Sequence, residues 1–127
     1  MSRGTEPRIS IVTADGFVLC HECRVADSFW SRLRGLLGTT PLRAGEGLFI
    51  PRTSSIHTHF MRYPIDVVFV DAEGCVRKIA RDLRPWRVAS CRGAHDVVEV
   101  PGGRCDELGL AEDAVLVQSA RGVCLSG

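Results

Sequence analysis

Two histidines stand one residue apart, His57 and His59, in the stretch SSIHTHFMRYPIDVVFVD, where Met61-Arg62 follows them and Asp66 opens an apolar run. On an extended strand alternate residues share a face, so His57, His59 and Met61 are expected on one side and Ile56, Thr58 and Phe60 on the other. A His-x-His pair placed in this way can grip one metal ion. A zinc site needs a third and usually a fourth ligand, and none stands at diagnostic spacing, so His57 and His59 remain metal candidates only and no cofactor is expected. His57 with Asp66 is the other chemistry on offer, an imidazole and a carboxylate that could act as general acid and base in a hydrolase-type or metal-assisted reaction. Asp66 also reads as a structural carboxylate that caps backbone N–H groups or pairs with Arg62. No serine or cysteine sits in a recognisable nucleophile elbow, so acyl transfer through a covalent intermediate has little support. Whether the chain is an enzyme is left open by these residues.

Two further stretches could carry chemistry. CHEC, Cys20 to Cys23, has the C-x-x-C spacing of zinc knuckles and redox pairs. It falls in a strand-like run, where positions three apart point to opposite faces, and there is no second C-x-x-C, so the cysteines read as small apolar fillers. Residues 77 to 92 carry six basic groups and one acid, whereas residues 94 to 113 carry six acids and one base. Within the basic segment RPWR sets Trp86 between Arg84 and proline on one side and Arg87 on the other, a pattern that can stack a base or sugar and grip phosphate.

The elements that must position these residues follow from punctuation and period. Residues 1 to 8 are polar and read as a loose tail, with one globular domain over 9 to 127. ISIVT and FVLCHECRV flank Ala14-Asp15-Gly16 as a hairpin, and DVVFV and CVRKIA flank Asp71-Ala72-Glu73-Gly74 as another. GLFIP, AHDVVEV and AVLVQ add strands, and PGGRCDELGL reads as a turn with a single helical turn. VADSFWSRLRGLLG changes period: Phe29, Trp30, Leu33, Leu36 and Leu37 fall within an arc of about 120° at helical spacing, with Gly38 placed to end the helix. The fold class is therefore α+β, a mainly-β single domain with a strongly bent sheet or small partly open barrel and one clear amphipathic helix.

Composition excludes several classes. At 127 residues the chain removes roughly two-thirds of its unfolded surface from water on folding, enough for a core without staples. A formal net charge of +1 gives no global field to recruit nucleic acid, and no apolar stretch approaches a bilayer span of about 20 residues. The start, MSRGTEPRIS, lacks an apolar signal region, which points to the cytoplasm and to free thiols for the six cysteines. A monomer or weak dimer with no membrane association is expected.

Taken together, GLLGTTPLRAGEGLFI, SIHTHFMRYPIDVVFVDAEGCVRKI, LRPWR and AHDVVEVPGG resemble the domain of unknown function 192 family of small bacterial and archaeal proteins, from about Val12 to Val117. The resemblance implies an α+β fold with a strongly bent sheet and no agreed activity. The family pattern carries over onto Arg34, Gly35, Gly38, His57, Met61, Pro64, Asp66, Asp71, Gly74, Trp86 and Gly102. His59 stands where similar sequences place an aromatic residue, which lowers the metal reading. The leading expectation is a non-catalytic module that binds a small or peptide-like anionic ligand in a cleft walled by His57, Met61, Arg62, Asp66 and Trp86. The alternatives are an enzyme using His57 and Asp66, and nucleic-acid binding through 77 to 92, which the neutral net charge opposes.

Overall fold

The computed structural model describes residues 8–25, 42–58 and 61–120. Nine strands and one short helix lie within them: β1 Arg8–Thr13, β2 Val18–Val25, β3 Glu46–Pro51, β4 Ser55–His57, β5 Ile65–Val70, β6 Val76–Leu83, β7 Val88–Ser90, β8 Asp96–Pro101, α1 Arg104–Leu108 and β9 Leu116–Ala120. The amphipathic helix expected between β2 and β3 lies outside the described residues. The mainly-β reading holds.

Seven strands form one sheet in the order β6-β5-β8-β3-β2-β1-β9, and β4 pairs with β7 in a separate two-stranded arm. Both expected hairpins form, β1 with β2 and β5 with β6, each antiparallel. In the second, Asp71 Oδ1 accepts the N–H groups of Glu73 and Cys75, and Gly74 turns the chain at φ 86°. Gly74 is needed for space as well, since a Cβ there would stand 2.5 Å from the Leu116 carbonyl oxygen. That close approach marks where the outer strands meet: Leu116 N–H donates to Gly74 O, and Cys75 bridges Val115. The sheet is thus curled into a half-barrel, with β6 and β9 joined at one corner.

Alternation along the central strands sorts side chains into two cores. Phe49, Val68, Val70, Val98 and Val100 pack with Ile11, Leu19 and Leu116 on the face enclosed by the curl. Leu48, Ile50, Ile65, Val67, Phe69 and Val97 occupy the other face, which Ile56, Met61 and Ala89 cover from the side of the β4–β7 arm. β5, IDVVFV, is therefore buried along its whole length, as its nearly unbroken apolar run anticipates.

Candidate functional site

The β4–β7 arm presents one face inward and one outward. Ile56 and Ala89 are register partners that bury against the sheet, while the next pair, His57 and Val88, is exposed. Val88 keeps 63% of its surface in water. His57 is therefore a surface residue held in place by a short strand.

The strand ends immediately after it, because Thr58 turns the backbone into a hub. Thr58 O accepts the N–H groups of both Met61 and Trp86, and Thr58 N–H donates to Arg87 O. Its hydroxyl donates to Arg84 O at 2.6 Å and accepts the Arg87 N–H at 2.9 Å. Thr58 itself is fully buried, so the RPWR loop is fastened from below by the side chain and backbone of one residue. At the top of this loop Trp86 is held at φ 65°, a left-handed conformation costly for a bulky residue, with 63% of its surface exposed. Arg62, Arg84 and Arg87 are exposed on the same loops, and Arg87 Nη1 donates to Trp86 O.

Two of the expected wall residues are absent from this surface: Met61 lies beneath it, and Asp66 lies on the other face of the sheet with its register partner Val100. Strand alternation put Met61 beside His57, but the Thr58–Met61 turn ends the extended run and sends Met61 into the second core at 5% exposure. Asp66 has no accessible surface. Its Oδ1 accepts N–H groups from Asp82 and Gly103, and its Oδ2 accepts that of Cys105. The Asp82 N–H is available because β6 shifts register between Ala80 and Leu83, with Asp82 at φ 51°. Asp66 thus joins β5 to β6 and to the start of α1, the capping role that the sequence allowed. His59 lies outside the described residues.

The C-x-x-C stretch departs from strand alternation in an instructive way. Ile9 faces Cys23 and Ile11 faces Cys20, so two steps along β1 match three along β2. This bulge turns both cysteines to one face, where they are fully buried in the same core. The Cys23 thiol is pushed up by its hydrogen bond with Cys20 and by burial, which opposes the thiolate that metal binding or redox attack requires. Among the described residues no group of three or more His, Cys, Asp or Glu side chains could hold a metal ion. No helix among them is long and apolar enough to cross a membrane.

The basic segment is divided by its contacts. Lys78 Nζ donates to Ser90 O, and Arg81 bonds Asp106 and Leu110 O, so these charges tie β6 to its neighbours. The residues that sequence reasoning passed over are Thr58, whose role needs partners 26 and 29 residues away, and Glu99, an acid buried on β8.

Comparison with known proteins supplies the family. Two solved structures share the fold: one from Sinorhizobium meliloti 1021, with TM-score 0.73 at 20% identity over 90% of this chain and 94% of that chain, and a protein of unknown function from Novosphingobium aromaticivorans, with TM-score 0.71 at 21% identity over 87% and 83%. A UPF0127 protein of Thermococcus sibiricus is 35% identical over 73% of this chain, which spans 63% of that relative's length. Another from Pyrococcus horikoshii is 36% identical over 65% of this chain and 74% of its own. With the family model DUF192, described as Uncharacterized ACR, matched over residues 10–117, the chain belongs to the domain of unknown function 192 family.

Proposed function

We propose that the protein is a non-catalytic module that binds a small or peptide-like anionic ligand over the outer face of the β4–β7 arm. Trp86 and His57 make the contacts, Arg62, Arg84 and Arg87 supply positive charge, and Met61 supports the surface from within, while Asp66 holds the far face of the sheet together. The observation that carries this reading is Trp86 itself. A large aromatic ring is normally buried, whereas this one is displayed on a left-handed backbone that Thr58 fixes from both sides. A rigid exposed aromatic beside guanidinium groups suits a ligand that has a flat or apolar part and a negative charge.

The burial of Asp66 favours binding over acid–base catalysis. A carboxylate with no accessible surface, occupied by three backbone N–H groups, is poorly placed to exchange a proton with a substrate beside His57.

A thermal-shift screen of the full chain against acidic peptides and aromatic carboxylates tests the proposal, because a ligand that binds only the folded state raises its stability. A hit should lose about 1 to 3 kcal/mol of affinity in His57→Ala and in Trp86→Ala, and keep it in Phe17→Ala, a truncation of an exposed aromatic in the β1–β2 turn. Equal affinity in Trp86→Ala would refute the site.

A further inference from the structure

We propose that the mouth of the curled sheet is a second binding site, which takes a small organic cation with an apolar body, such as a primary arylalkyl- or alkylammonium. A cavity of about 350 Å³ opens there. Its floor includes Ile11, Phe49, Val70 and Val98. Cross-strand register explains why these converge: Phe49 pairs with Val98 and Val70 with Asp96, and Ile11 pairs with Gln118, so all six positions project to the enclosed face. Among the described residues β6 and β9 meet at the Cys75–Val115 corner, after which β9 runs on past the 71–74 turn beside the opening.

The polar groups decide the ligand class. Among the described residues the ionisable ones in the lining are Glu73 and Asp96, both carboxylates, with Gln118 beside them and no lysine or arginine. The Asp96 side chain is only 14% exposed. Its Oδ1 accepts the Arg52 N–H at 3.1 Å and stands 3.0 Å from His95 Nδ1. Among the described residues Oδ2 has no protein donor, although every buried side-chain oxygen has a partner, so Oδ2 is reachable from outside the protein. Arg77 Nη1 stands 3.9 Å from Asp71 Oδ2 at the turn, where one charge offsets another, and the His95 contact with Asp96 is an ion pair only when the imidazole is protonated. A carboxylate held by the Arg52 N–H above an apolar floor favours an ammonium with a hydrocarbon tail and disfavours a carboxylate of the same shape. With water occupying about 30 Å³, the cavity suits a ligand of roughly ten heavy atoms.

This site shares no residue with the β4–β7 surface, and the test keeps the two apart. The full chain is titrated with 2-phenylethylammonium, 2-phenylethanol and phenylacetate, followed by backbone amide shifts of Ile11, Val70 and Val98. The ammonium should bind saturably and phenylacetate at least roughly tenfold more weakly. Asp96→Asn, which keeps a carbonyl oxygen for the Arg52 N–H, should weaken the ammonium by about tenfold while leaving 2-phenylethanol little changed. Gln118→Trp, which fills the mouth without touching a carboxylate, should block both, and Trp86→Ala should alter neither. The inference is overturned if phenylacetate binds as tightly as the ammonium, if Asp96→Asn or Gln118→Trp leaves the ammonium unaffected, if Trp86→Ala removes its binding, or if no saturable shift develops at millimolar ammonium.

Discussion

The carboxylate of Asp66 accepts the backbone N–H of Cys105 at 2.9 Å and lies against the thiol of the same residue. Through this contact a residue at the start of β5 organises the first turn of α1, a helix of only five residues whose N-cap, Gly103, has no side chain to offer. The role of an N-cap side chain is thereby filled from a distant strand.

Removing this carboxylate should be among the most destabilising single changes to the sheet. Asp66→Ala leaves the N–H groups of Asp82, Gly103 and Cys105 without their acceptor, and a loss of about 3 to 5 kcal/mol is expected. Asp66→Asn keeps one carbonyl acceptor and should cost less. Urea denaturation of the three proteins measures the order, and an Asp66→Ala cost below about 1 kcal/mol would show that water replaces the carboxylate.

Burial, with the Asp66 carboxylate beside it, pushes the Cys105 thiol up to about 12. In the unfolded chain a thiol titrates near about 8.5, so above that pH the unfolded state sheds a proton that the folded state retains. Stability should therefore be fully present below about pH 8.5 and fall as pH rises toward 12. Cys105→Ala should flatten this decline without abolishing it, because Cys23 is raised as well. Denaturation midpoints across that window, with an unchanged slope in Cys105→Ala, would count against the shift.

Gly47 on β3 lies against two other strands. A Cβ there would stand 2.8 Å from Cys20 Sγ and 2.8 Å from the Glu99 carbonyl oxygen, and the second of these is backbone that cannot swing aside. Gly47→Ala should cost about 1 to 3 kcal/mol by overpacking. Combining it with Cys20→Ala should recover only part of this loss, so full recovery in the double variant would show that the sulfur alone sets the limit.

What was legible in the sequence was local. Both hairpins and the helical turn at RCDEL are written in neighbouring residues, and β1, β2, β5, β6 and α1 stand where turn chemistry places them. What was misread depended on pairing. The two-for-three register between β1 and β2 brings Cys20 and Cys23 together, and nothing within CHEC encodes it. The partners of Asp66 are 16, 37 and 39 residues away, so its capping role could be named as a possibility but not chosen. Met61 left its expected face because the Thr58 hub, which draws on the RPWR loop, ends β4 after three residues.

That hub leads to a prediction in which stability changes while binding does not. Trp86 occupies φ 65°, where glycine pays no Cβ penalty and every other residue except asparagine and aspartate is disfavoured. Trp86→Ala and Trp86→Gly both delete the indole and whatever it touches, so the difference between them isolates the backbone. Ordinarily glycine is the worse of the two by about 0.5 to 1 kcal/mol; here it should be the more stable by a similar amount. Thr58→Val, which removes the hydroxyl bonds to Arg84 and Arg87 at nearly constant volume, should cost about 1 to 3 kcal/mol and release the loop. If the left-handed backbone is kept in order to display Trp86, then Trp86→Gly should have a sounder fold than Trp86→Ala and bind the anionic ligand no better. Alanine proving the more stable replacement in thermal denaturation would mean that the loop carries no strain, and the display of Trp86 would lose its main support.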